Sequence, residues 1–255
     1  MSGHSKWSTI KRKKGAEDAK RSKLFTRIAR EVTTAVREGG GITDPNANPR
    51  LRLAVDKAKA ANMPKDNVQR AINKGAGIGD DGVTFEDIVY EGYAPNGVAV
   101  IVEVTTDNRN RSLAEVKHAF NKAGGSLATA NAVQWQFDRQ GFIQLSSETT
   151  VDFDEVFMVA AEAGADDVSD DDGTISIYTN REDLFKVAQA LVEANLPVVD
   201  SQLIWVPQNE MELSPDQAVS VMRLLEKLEE LDDVNNVASN LAMNEAVLAA
   251  FEAQG

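Results

Sequence analysis

The chain has 255 residues, 42% of them apolar and 26% charged, enough for one to three folded domains and incompatible with a wholly disordered polymer. It contains no cysteine, which excludes disulfide scaffolds and thiolate metal sites and points to a reducing compartment. The net charge of −13 conceals a segregation: residues 1–75 hold 18 Lys/Arg against 7 Asp/Glu, whereas residues 76–255 hold 9 against 33.

Residues 1–17 read as a basic flexible tail, because only Trp7 and Ile10 are large and apolar and so little burial cannot offset the entropy of ordering. No apolar stretch follows the basic start and no run approaches ~18 apolar residues, so neither a signal peptide nor a membrane span is expected. From Asp18 to Glu38 the spacing of Leu24, Phe25, Ile28, Ala29, Val32, Ala35 and Val36 predicts an amphipathic helix, stopped by Gly39-Gly40-Gly41. Lys20, Lys23, Arg27, Arg30 and Arg37 flank the apolar stripe. A second helix is predicted from Asn48-Pro49 and a third from Met63-Pro64 to Gly75, giving a helical domain over 18–77.

Beyond the linker GAGIGDDG the hydrophobic period changes. Ile88 to Tyr90 and Val98 to Val104 predict a hairpin around Ala94-Pro95-Asn96-Gly97, and Arg111 to Ala123 a helix. Val133 to Phe137 and Phe142 to Leu145 read as a second hairpin. Helices are predicted at Phe153 to Ala163, Arg181 to Ala194 and Pro215 to Leu231, with strands at Thr174 to Tyr178, Val198 to Val206 and Val234 to Leu241. The stretches 97–120 and 173–192 repeat a pattern of strand, Thr, Asn-Arg and amphipathic helix. The fold class is therefore α+β: a three-helix domain, then two mixed domains with antiparallel sheets, the second inserted into the first. The expected boundaries are 83–132 plus 209–255 for the discontinuous domain and 133–208 for the insert.

Two motifs fail on inspection. Gly77-x-Gly79-x-x-Gly82 follows a helix, and Asp80 and Asp81 would repel a pyrophosphate. Asp170-Asp171-Asp172-Gly173 cannot be a calcium loop, since the first and twelfth positions would be Val168 and Thr179; it reads as a hairpin turn. His4 and His118 are the only histidines, and no nucleophile elbow or P-loop is present, so no enzyme, metal or cofactor is expected.

The positive signal is basic. Lys6, Lys11, Arg12, Lys13 and Lys14 surround Trp7 and can neutralise phosphates. Trp7 either stacks on an unpaired base or folds the tail onto the helical domain. Asn108-Arg109-Asn110-Arg111, between a strand and a helix, is either an anion site or a cap whose arginines pair with nearby acids. A basic arm on an acidic body suits a polyanion, the alternative being an arm docked on its own body.

Four segments carry a resemblance: SGHSKWSTIKRKKGAEDAKRSKLFTRIAREV (2–32), NMPKDNVQRAINKG (62–75), EGYAPNGVAVIVEVTTDNRNRSLAEVKHAFNKAGG (91–125) and LEELDDVNNVASN (228–240). On these the chain resembles the YebC family, which includes mitochondrial translational activators of a cytochrome oxidase subunit. The resemblance implies three domains, one helical and two α+β, and a non-enzymatic cytoplasmic protein. It also implies a nucleic-acid partner, under two labels: a DNA-binding transcriptional regulator, or a translation factor that contacts ribosomal RNA and aids difficult peptide synthesis. Ribosome association belongs to the second label; no membrane partner is expected, and a monomer is favoured. Matched by position, the binding residues are His4, Lys6, Trp7, Lys11, Arg12, Lys13 and Lys14 in the tail, and Lys20, Arg21, Lys23, Arg27 and Arg30 in the first helix. Lys65 and Arg70 follow in the third helix, then Arg109 and Arg111. The chain departs from the family at Ala94 and Asn96, where glycine is usual, and at Ala238, where an aromatic is usual. The segment SLATANAVQWQF is longer and less glycine-rich than its counterparts, and the tail beyond Asn240 is longer and helical in character.

Overall fold

The computed structural model describes residues 19–78, 86–146, 151–171 and 173–253, with the backbone alone at 19–23, 60 and 171. The tail to residue 18 and the second half of the linker, residues 79–82 with Gly79 and Gly82, lie outside the described residues. Among the described residues there are eight helices and two antiparallel four-stranded sheets, a mixed α+β fold with a helical N-terminal region. Among the described residues, those within 82–138 and 205–255 form one compact unit and those within 17–81 and 139–204 another.

Three helices open the second of these units: α1 (Ala19–Glu38), α2 (Pro49–Ala60) and α3 (Lys65–Gly75). Ile28, Val32, Ala35 and Val36 of α1 form a fully buried stripe against Leu51, Ala54 and Ala58 of α2 and Ala71 and Ile72 of α3. Leu24, at the head of the predicted stripe, is exposed instead, while its neighbour Phe25 packs against the core. Asn48 ties the bundle together. Its side-chain oxygen accepts from Leu51 N at 3.0 Å, capping α2, while its Nδ2 donates to Ala35 O at 2.9 Å near the end of α1. Thr33 Oγ1 donates to Ala71 O at 3.1 Å and joins α1 to α3. A β-carbon at Gly75 would lie 2.7 Å from both Thr33 O and Val36 Cβ, so only glycine allows α3 to end so close to α1.

In the other unit, β1 (Glu86–Tyr93) and β2 (Ala99–Thr106) form the predicted hairpin, with Ile88 opposite Val104 and Tyr93 opposite Ala99. Asn96 and Gly97, at φ 64° and 85°, supply the two left-handed residues of its turn. Helix α4 (Arg109–Lys122) and the short β3 (Ser126–Leu127) follow. The chain returns after residue 204 to add α7 (Pro215–Glu229), β8 (Val234–Ser239) and α8 (Glu245–Glu252). The sheet order is β3-β1-β2-β8, so the C-terminal strand completes the first sheet, antiparallel to β2. Strand β2 is buried on both faces. Val100, Val102 and Val104 pack on Val116 and Phe120 of α4 and Met222 and Leu225 of α7, while Ala99 and Ile101 meet Val133, Phe137 and Ala238.

The second sheet comprises β4 (Phe137–Leu145), β5 (Ala165–Asp171), β6 (Thr174–Asn180) and β7 (Val198–Pro207), in the order β5-β6-β4-β7. Ile143, Leu145, Ile175 and Ile177 bury against α5 (Phe153–Ala163) and α6 (Leu184–Glu193). Strands β5 and β6 pair antiparallel on either side of the turn predicted at Asp170 to Gly173, with Asp170 opposite Ile175; Asp172 lies outside the described residues. The hairpin expected from Val133 to Leu145 is absent. Gln134–Gln136 is a 3-10 turn, and residues 137–145 form one continuous strand that lies between β6 and β7. Gly141, read as a turn residue, lies within that strand, where a β-carbon would meet Thr179 Oγ1 at 2.2 Å.

Candidate nucleic-acid interface

The segment 19–78 holds 13 Lys/Arg against 5 Asp/Glu. Helix α1 buries one stripe and turns Arg27, Arg30 and Arg37 elsewhere. Arg27 is half exposed, with Nε 3.7 Å from Glu31, and Arg30 and Arg37 lie outside the buried stripe. Lys20, Arg21 and Lys23 fall on the first turns of the same helix. In α3, Lys65 and Arg70 are both exposed; Arg70 Nε donates to Asp66 O at 3.3 Å and its guanidinium to Asn67. The fold thus gathers Arg27, Arg30, Lys65 and Arg70 into one small helical bundle. His4, Lys6, Trp7, Lys11, Arg12, Lys13 and Lys14 lie outside the described residues.

Not every cation of the bundle faces solvent. Lys57 on α2 is drawn between two carboxylates, 3.2 Å from Glu31 and 2.8 Å from Asp200 of β7. Burial opposes its charge, but Asp200 and Glu31 outweigh that and hold the ammonium above the usual lysine range. Arg50 pairs with Glu38, and Arg52 donates to the backbone of Pro45 and Asn46.

Arg109 and Arg111 lie in the other compact unit, at the start of α4. Asn108 caps this helix, accepting from Arg111 N at 3.1 Å. The Arg111 guanidinium lies 2.7 Å from Asp233 and 3.0 Å from Asp107. Asp233 is nearly fully buried and also accepts from Thr106 Oγ1 at 2.9 Å and from Ser112. This bond to Asp233 holds the arginine above its usual value. The geometry is that of a cap and a buried ion pair, with Arg111 committed to protein carboxylates. Arg109 remains exposed, its backbone carbonyl accepting from Tyr90 OH at 3.4 Å. Burial raises the Tyr90 phenol, with Arg109 opposing.

Two features escaped the sequence. Glu91 is buried in β1, and its carboxylate accepts three backbone N–H groups: Asn131 at 2.6 Å, Val133 at 2.8 Å and Gln134 at 2.8 Å. The same loop carries Trp135, 70% exposed, whose Nε1 donates to Ala132 O at 3.0 Å. Tyr93, 37% exposed, donates its hydroxyl to that same oxygen at 3.3 Å. A carboxylate set inside the apolar run Tyr90-Glu91-Gly92-Tyr93 was the available signal for the first. Among the described residues no group of three His, Asp or Glu side chains is placed to hold a metal ion, and no helix is long and apolar enough to cross a membrane.

Comparison with known proteins covers nearly the whole chain. The profile described as "TACO1/YebC protein N-terminal domain" matches residues 5–78, and that described as "TACO1/YebC second and third domain" matches residues 85–241. A protein of Trichlorobacter lovleyi named "Probable transcriptional regulatory protein" is 51% identical over 240 residues, 94% of this chain and 95% of the relative. A Bifidobacterium longum protein of the same name is 49% identical over 252 residues, 99% of each chain. The crystal structure of a conserved hypothetical protein from Aquifex aeolicus matches with a TM-score of 0.80 at 44% identity, covering 89% of this chain and 93% of that one.

Proposed function

The chain belongs to the TACO1/YebC family, and from that premise we propose that it is a non-enzymatic regulator of gene expression that binds nucleic acid through its N-terminal third. The observation that carries this reading is the charge division, with 18 Lys/Arg against 7 Asp/Glu in residues 1–75 and 9 against 33 in the rest. A polyanion is attracted to the bundle and the tail before it and repelled from the remainder, which fixes orientation at encounter. Transcriptional control through DNA is the role suggested by the names of the bacterial relatives. In its support, α2 and α3 are joined by the four residues Ala61 to Pro64, and α3 exposes Gln69 and Arg70, residue types that read base edges.

A second reading, binding of ribosomal RNA by a translation factor, is favoured by the exposed Trp135 and Tyr93. Duplex DNA leaves such rings no base face to meet. The experiment titrates the full chain against a DNA duplex and a ribosomal RNA fragment at several salt concentrations. If six to ten phosphates are neutralised, affinity falls by about 10³–10⁵ between 50 and 200 mM salt. Lys65→Ala and Arg70→Ala should each lower the salt slope by about one. A flat titration on both probes rejects the proposal, and the tighter probe at matched salt decides between the readings.

A further inference from the structure

We propose that Trp135 and Tyr93 form a stacking site for an unpaired base of single-stranded RNA. This deepens the nucleic-acid reading above and rests on it. Trp135 is the most exposed large apolar side chain among the described residues, at 70%, although tryptophan is on average highly buried. Both aromatic side chains spend their one polar hydrogen on the same acceptor, the Ala132 carbonyl. Their polar edges are thereby fixed, and Trp135 is left with its faces open.

The carbonyl that anchors them is itself held. On either side of Ala132, the N–H groups of Asn131, Val133 and Gln134 converge on the buried Glu91 carboxylate. Ala132 N donates to Thr129 O at 3.2 Å, and the Val133 side chain is fully buried beside Ile101 and Phe137. Charge-assisted bonds of this kind are short and directional, so the loop is preorganised and little entropy is lost when a ligand settles on it. A loop built so firmly around an exposed indole is a presentation device.

Charge identifies the occupant. Residues 124–136 contain no charged side chain, in a chain where 26% of residues are charged. The described residues of the unit around them, 86–138 and 205–253, hold 17 Asp/Glu against 6 Lys/Arg. Such a surface repels phosphate, so a strand meets it only through a base face, because stacking needs an aromatic plane and no counter-charge. Bases within a duplex are already stacked, so the ligand is an unpaired one.

The test uses the full chain and two probes at one fixed salt, a 12-nucleotide oligo(rA) and an RNA duplex of equal length. Trp135→Ala should weaken oligo(rA) binding by about fivefold to 150-fold and leave the duplex nearly unchanged. Trp135→Phe, which keeps an aromatic face, should retain most of the affinity. The indole emission quenched by oligo(rA) in the wild type should be lost in that variant. Equal losses on both probes would assign the indole a role in shaping the protein, and an unchanged oligo(rA) affinity would remove the site; either result overturns the proposal. A wild type that binds both probes with strong salt dependence while Trp135→Ala is silent leaves the nucleic-acid reading standing. A wild type that binds neither probe removes that reading and the site together. A Trp135→Ala defect confined to capture of a protein ligand would make this a protein contact and would also overturn the proposal.

Discussion

Lys57 shows what a single cation contributes when carboxylates close on it from two sides. Replacing it with Met removes the cation between Glu31 and Asp200 and leaves Glu31 only the longer contact with Arg27, and we predict a loss of about 1–3 kcal/mol in urea unfolding. The pH dependence follows from the direction of its shift. The folded value is raised above an unfolded one near 10.4, so the contribution is complete below pH ~10.4 and declines as pH rises toward the folded value. The difference between wild type and Lys57→Met should therefore be flat from pH 6 to 9 and shrink above about pH 10.5. A difference that grew with pH would contradict the assignment. Glu91 makes the converse case for an anion: Glu91→Ala orphans three N–H groups, with an expected cost of about 2–4 kcal/mol, read as a lowered unfolding midpoint. Neither residue was legible as a site in the sequence. The partners of Glu91 lie 40 or more positions away and are backbone groups, which leave no trace in residue type. The basic residues of α1 and α3 were legible because clustered charge is a property of the sequence itself. At Arg109 and Arg111 an anion site and a cap with paired arginines are both open from sequence, and only the position of Asp233 separates them for Arg111.

At the scale of the element, Asn48 serves two helices at once. Asn48→Ser keeps an acceptor for Leu51 N but has no group that reaches Ala35 O, whereas Asn48→Ala loses both. We predict costs of about 1 and 2–4 kcal/mol respectively, measured by thermal or chemical unfolding. Equal costs would mean that only one of the two bonds matters. Helices with a clear period were read closely from sequence. The α5 limits, Phe153–Ala163, coincide with the predicted ones, since Val156, Ala160 and Ala163 mark one buried face and Asp152 and Gly164 close the ends. Strand β5 was not foreseen, because ADDVSDD is almost devoid of apolar residues. It sits at the edge of its sheet and is held by backbone pairing to β6. The false hairpin around Asp138 to Gly141 has the opposite origin. Four turn-forming or polar residues interrupt an apolar run, yet the glycine is there to admit Thr179 and Leu184.

For the whole molecule, the division of charge predicts that a fragment beginning at residue 83 loses most nucleic-acid affinity, measured against the full chain at 50 mM salt, where the electrostatic contribution is largest. Full retention would move binding to the acidic remainder. The order in which the strands pair also bears on synthesis. Strand β2 meets its outer neighbour, β8, only after some 130 further residues have been made, as the pairing of Val104 with Val234 records. Until then AVIVEVTT, apolar and β-branched, presents an open hydrogen-bonding edge. A chain emerging from the ribosome therefore completes the strands of its second sheet before its first, and any pause before residue 234 prolongs the interval in which β2 can pair with another chain. The C-terminal strand, by arriving last, ends the association-prone phase of this protein's birth.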